Sequence, residues 1–247
     1  MHLQTLIWTL VLLAAYPAAG GCQLTLGPEW NRAVESVASH RAAWSEVFAT
    51  LHVEPAECEA IIFPEQLRYS RLQDGMEQAA VQAFYVQGGT TKGNFSIGPF
   101  QMKPSFAEEV ERAWMESPMR HEYKLYFDLG DNRRARSKRI RRLADERWQC
   151  VYLAIFVRLL LVREPSLLTL PAEERVGLLA TAYNFCFTAS IDSLQKRKSR
   201  RTFHLDLLPG KGTIYYSYAE LSVYYYKNYQ LKNKFLCLKS EKTDSKR

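Results

Sequence analysis

Ile61-Ile62-Phe63-Pro64-Glu65-Gln66-Leu67-Arg68-Tyr69-Ser70 sets one carboxylate, Glu65, at the end of an apolar run. Pro55 can open a helix into that run, because a first-turn proline sacrifices no helical hydrogen bond. Pro64 is expected to disturb the helix beside the acid. With Ile61, Ile62, Phe63 and Leu67 around it, a carboxyl group can keep its proton near neutral pH, since apolar surroundings penalise the anion.

Working outward, helical periodicity dominates. Trp30, Val34, Val37, Trp44, Val47, Phe48 and Leu51 recur at three- and four-residue steps, which predicts an amphipathic helix before the Glu65 segment. Beyond it a helix is expected over Asp74 to Val86, ending in an exposed, mobile loop at Gly88-Gly89-Thr90-Thr91-Lys92-Gly93-Asn94. Pro104 can start the next helix, with Phe106, Val110 and Trp114 as its apolar stripe and an end near Ser117-Pro118. Arg133 to Arg142 holds seven basic residues in ten and reads as a solvated surface. Leu143 to Val162 is strongly apolar and interrupted by Arg158, the pattern of a buried core helix rather than a membrane span. Further helices are expected over Ala172 to Phe187 and Tyr218 to Tyr229, with a second basic cluster at Lys196 to Arg201 and a turn at Pro209-Gly210-Lys211-Gly212. No fixed-period repeat appears, so the fold class expected is mainly α.

The first twenty-one residues carry no Lys, Arg, Asp or Glu, and Leu6 to Ala15 is almost wholly apolar before Pro17, Ala18, Ala19, Gly20 and Gly21. This reads as a signal peptide over 1–21, and lipidation of Cys22 would attach the chain to a membrane. A helical extension over 22–53, a main domain over 54–238 and a polar tail over 239–247 complete the expected organisation. Export places Cys58, Cys150, Cys186 and Cys237 in an oxidising compartment, with three pairings open and free thiols the alternative. Neither a CxxC pair nor an HExxH motif occurs, so the site is expected to need no metal and no cofactor. A net charge of +7 favours anionic partners. For an exported chain, an envelope polymer is a better fit than nucleic acid, although both basic clusters could contact phosphates.

Three segments in order, Phe63 to Ser70, then Phe95-Ser96-Ile97-Gly98-Pro99-Phe100-Gln101-Met102-Lys103-Pro104, then Ala180-Thr181-Ala182-Tyr183-Asn184, resemble the lytic transglycosylase and goose-type lysozyme pattern of the lysozyme-like superfamily. In that family a helix ends at an acid, a Gly-x-x-Gln turn lines the cleft, and an Ala-x-x-Tyr-Asn-like helix faces both. Ile214-Tyr215-Tyr216-Ser217-Tyr218-Ala219-Glu220 is similar to the segment opening the family's closing helix, where a Glu follows an aromatic stretch. This chain departs from the pattern at Gln66, where Ser is usual, at Phe185-Cys186, where Ala-Gly is usual, and in a long interval between Glu65 and Gln101.

The resemblance implies a lysozyme-like α domain, peptidoglycan as substrate, and a location in the periplasm or outer envelope. It implies Glu65 as the single acid and base, with Ser96, Gln101, Tyr183 and Asn184 binding the sugar. A transglycosylase would close the substrate's own 6-hydroxyl onto the cut sugar; a muramidase would use water. The departures leave a non-catalytic wall-binding or envelope-assembly protein as the alternative. Asp74 and Glu77 are the nearest second acids in sequence.

Overall fold

The computed structural model describes residues 26–69, 76–206 and 208–228, with side chains masked for 76–81. The expected signal peptide, Cys22, Asp74, the Glu77 side chain, Tyr229, Cys237 and the expected polar tail lie outside the described residues. The architecture is mainly α-helical. Helix α1 (Gly27–Thr50) has Pro28 in its first turn and buries Trp30, Ala33, Val37, Trp44, Val47 and Phe48, so the periodic stripe faces the core. It lies against α2 (Pro55–Tyr69) and the central helix α7 (Glu146–Arg163), and its residues join the same core as the rest of the chain.

Helix α2 corrects one expectation, since it runs straight through Pro64. The proline ring removes a hydrogen bond to the carbonyl of Ala60, a local loss on the order of 3 kcal/mol. Every residue from Ala56 to Leu67 is nevertheless buried, so tertiary packing overrides the local break and carries the helix past Glu65.

Helix α3 (Met76–Gly88) continues into a single 3₁₀ turn at Gly89–Thr91. Thr91, Lys92 and Asn94 are exposed, as expected of a loop, while Gly89 and Gly93 are buried and anchor it. Helix α4 (Pro104–Glu116) starts at the proline and buries Ala107, Val110, Glu111 and Trp114. After the short α5 (Met119–Glu122), the basic run forms helix α6 (Arg133–Ala144), capped by Asn132, whose side chain accepts from the Ala135 amide at 3.0 Å. Asp145 caps α7 in the same way through the Trp148 amide.

Helix α7 is apolar on all sides because α1, α2, α4 and α6 surround it; Tyr152, Leu153, Ile155 and Phe156 are fully buried. A 3₁₀ turn at Pro165–Thr169 leads to α8 (Ala172–Phe185), which packs on α2, and α9 (Ile191–Arg197) returns against α8. A small antiparallel ribbon, β1 (Arg201–Phe203) with β2 (Tyr216–Ser217), pairs Arg201 with Ser217 and Phe203 with Tyr216 across an irregular register. No strand was expected there from the sequence. A last helix, α10, is described over residues 218–228, and Ser217 caps it by accepting from the Glu220 amide at 3.1 Å. Among the described residues, no helix is long and apolar enough to cross a membrane.

Candidate functional site

The site is built where α2, α8 and α10 meet a tight turn. Ile97 and Met102 exchange both backbone hydrogen bonds, and the Gln101 amide donates to Gly98 at 3.0 Å, closing a four-residue hairpin. Gly98 has φ +66° and Gln101 φ +51°, so both occupy the left-handed region that a non-glycine residue enters at a cost.

Three side chains from three helices fasten that backbone. Gln149 of α7 donates to Ile97 O at 2.8 Å and accepts from the Phe100 amide at 2.8 Å. Gln66 of α2 donates to Pro99 O at 2.6 Å and accepts from Ser36 at 3.1 Å. Tyr183 of α8 donates to Phe100 O at 2.7 Å. A Cβ at residue 98 would sit 2.0 Å from Gln149 Nε2, so the glycine is required by contact as well as by conformation. Gln66, which departs from the family pattern at the position after the acid, thus ties the acid's helix to the turn.

Glu65 lies on α2 beside this junction and is only 5% exposed. Burial pushes its carboxyl up to about 7, against the opposing charges of Arg68 and Lys103. Its Oε2 has no hydrogen-bond partner, and neither does the hydroxyl of Tyr218, which adjoins the carboxyl and favours the anion without reaching hydrogen-bond geometry. Arg68 Nη1 stands 3.8 Å from Oε2, but its Nε and Nη2 are committed to His204 O at 3.1 and 2.8 Å, and its guanidinium lies over Phe203 at 4.5 Å. The β ribbon therefore holds the arginine back from closing a bidentate pair with the acid. Burial and the Glu65 charge both raise Tyr183 and Tyr218 well above the ordinary phenol range.

The expected site residues fall into two groups. Glu65, Tyr183 and the Gln101 turn are brought together, yet each amide or hydroxyl serves the turn: Gln101 Nε2 donates to Gly98 O at 2.9 Å, and Tyr183 donates to Phe100. Ser96 is half-buried one residue before the hairpin and makes no side-chain hydrogen bond among the described residues. Asn184 is exposed at the end of α8 and lines a small pocket with Tyr218, whose ring is shared between that pocket and the Glu65 carboxyl. Arg68, Lys103, Tyr218 and Gln149 were missed as site residues. Arg68, Lys103 and Tyr218 each fall inside a segment that carries the resemblance, whereas Gln149 had no such signal.

Elsewhere, several buried and half-buried acids are matched with bases. Glu111, fully buried in α4, accepts from Arg139 at 2.8 Å, Arg142 at 2.8 Å and Tyr152 at 2.5 Å. Arg136 pairs with Asp131 and Lys138 with Asp128, so much of the first basic cluster is spent on acids of this chain instead of standing solvated. Glu57 pairs with Arg175 and Glu59 with Arg41. A separate pocket of about 270 Å³, lined by Gly88, Thr91, Glu108, Arg112, Asp131 and Arg139, carries both signs of charge. Cys58, Cys150 and Cys186 are free thiols, the first two buried. Among the described residues, no group of His, Cys, Asp and Glu could hold a metal ion. Compared with protein-family models, curated proteins and solved structures, the chain matches none of them.

Proposed function

We propose that the chain is a lysozyme-like enzyme that cuts the glycan strands of peptidoglycan, with Glu65 as its single acid and base. The observation that carries the reading is a buried carboxyl lifted to about 7, with one oxygen unpartnered, at the junction of the three segments whose order suggested the family. A general acid must hold its proton at working pH and still release it, which a value near 7 permits. Glu65 would protonate the leaving glycosidic oxygen. As a carboxylate it would then take the proton from the attacking hydroxyl, either the substrate's own 6-hydroxyl, giving an anhydro sugar, or water, giving a reducing end. Among the described residues, the groups that act on Glu65 are Arg68, Lys103 and Tyr218, none of them a second carboxylate; Asp74 and the Glu77 side chain lie outside that set. Export to the periplasm or outer envelope, with lipidation at Cys22, is the matching location.

One observation favours a second reading. Glu65 is 5% exposed and faces Arg68, and Gln101 is folded onto its own turn, as would suit a wall-binding or envelope-assembly protein that kept the fold without the chemistry.

Digestion of purified peptidoglycan by wild type and Glu65→Gln separates the two. The enzyme reading expects soluble muropeptides from wild type and a loss of rate of about 10²- to 10⁴-fold in the variant. Mass analysis of the ends distinguishes anhydro from reducing products. Wild type that binds wall without releasing product supports the second reading; equal digestion by both proteins removes Glu65 from the mechanism.

A further inference from the structure

The second basic cluster gathers around the pocket that Tyr218 and Asn184 line. Arg197, Lys198 and Arg200 supply three cations to its wall and Thr202 a hydroxyl, with no acidic residue taking part; the Thr181 hydroxyl is committed to Gly177 O at 2.7 Å, and the depression is shallow, about 10 Å³, so a ligand group would rest on its rim. None of the three cations has a carboxylate partner among the described residues, in contrast to the first basic cluster, where Arg136, Lys138, Arg139 and Arg142 are all paired. The contrast with the larger pocket is equally direct, since Glu108 and Asp131 balance Arg112 and Arg139 there.

The cations are placed, not merely present. The Arg197 guanidinium stacks 3.8 Å from the Phe185 ring centroid, which restricts its plane. The Lys198 stem crosses Gly177, where a Cβ would come within 3.2 Å of it, and the Lys198 carbonyl is held by Ser217 at 2.8 Å. Tyr218 contributes to the same wall while its hydroxyl adjoins the Glu65 carboxyl. Concentrated positive charge with no carboxylate beside it is relieved by an anion.

We propose that the cationic rim of this shallow depression is a subsite for a carboxylate carried by the glycan substrate, placing that charge on the far side of Tyr218 from Glu65. Arginine forks match a carboxylate's two oxygens, and the Asn184 amide and Thr202 hydroxyl can fill its remaining acceptor positions. The proposal rests on the glycan-cutting reading, in which the polymer offers two sources of this chemistry: the lactyl carboxylate of a muramic acid stripped of peptide, or carboxylates of the peptide stem. It also gives Phe185, a departure from the family pattern, a task as the platform for Arg197.

The test measures binding and cleavage of three strand preparations by full-length protein: peptide-stripped, peptide-bearing, and stripped with the lactyl carboxylates reduced to alcohols. Wild type is expected to bind a carboxylate-bearing strand about tenfold or more tighter than the reduced one, with the preference falling as salt rises. Preference for stripped strands assigns the lactyl group, and preference for peptide-bearing strands alone assigns the stem. An Arg197→Gln, Lys198→Gln, Arg200→Gln triple variant, checked for native near-UV circular dichroism, should lose the preference. Equal binding of charged and reduced strands by wild type overturns the subsite even if cleavage is seen. Charge-dependent binding without cleavage leaves the subsite standing and removes the enzyme reading, whereas no binding to any strand removes both.

Discussion

Glu65 and Glu111 are both glutamates taken out of water, and their surroundings diverge completely. Glu111 on α4 has two arginines and a tyrosine hydroxyl on its two oxygens, so its negative charge is matched within the core. Glu65 on α2 has an unpartnered oxygen and an arginine kept at 3.8 Å by its own bonds to His204. Burial of a satisfied charge pins helices together; burial of an unsatisfied one shifts its protonation. The chain thus uses the same side chain as a structural tie at one end of its core and as a proton store at the other.

Removing each acid should show the difference. Glu111→Ala leaves Arg139, 3% exposed, without its main partner, and is expected to cost about 3–5 kcal/mol of unfolding free energy in a denaturant titration. Glu65→Gln should be neutral or stabilising above pH 7, because wild type pays there for an anion in an apolar place. The sign follows from proton binding. The native carboxyl titrates at about 7 and the unfolded one near 4.5, so between those values the folded state holds more protons and stability falls as pH rises. The full displacement corresponds to about 3 kcal/mol, an upper bound on the gain from the variant. A variant as damaging as Glu111→Ala at pH 8 would erase the distinction between the two acids.

Gly98→Ala sharpens the comparison from the side of the scaffold. It places a Cβ against Gln149 in a left-handed residue and is expected to lower stability by about 1–3 kcal/mol, measured by thermal unfolding, while loosening the turn that Gln66 and Tyr183 also hold. Arg68→Gln has a smaller and purely electrostatic consequence at the acid. The arginine lowers the Glu65 value, so its removal should move the alkaline limb of the cleavage profile to higher pH, whereas a limb unmoved would show that Arg68 does not act on the acid. Tyr183→Phe loses one hydrogen bond to Phe100, worth about 1 kcal/mol.

Helices with an apolar stripe, such as α1 and α4, were legible because burial of that stripe is what forms them, and α7 was legible because an all-apolar helix has to be interior. Glu65 was legible as an acid among apolar neighbours. What stayed hidden depended on contacts between distant segments. The persistence of α2 through Pro64 follows from burial of a whole helix, and the burial of Gly93 from its packing against α3. The pairing of the 133–142 cations with Glu111, Asp128 and Asp131 joins residues up to 31 positions apart, as Arg142 and Glu111 show. The roles of Gln66 and Gln149 as clasps of the Gly98 turn have no local signature, because an amide that serves a backbone carbonyl looks the same in sequence as one that serves a sugar.

The central claim is that the Glu65 carboxyl keeps its proton close to neutrality because burial outweighs the opposing pull of Arg68, Lys103 and Tyr218. A carbon-13 NMR titration of the glutamate side-chain carboxyls, with Glu65 assigned by its absence in Glu65→Gln, measures this directly. The account expects a midpoint at about 7 for that one resonance. A midpoint at or below 4.5, the ordinary value for a glutamate, would contradict it.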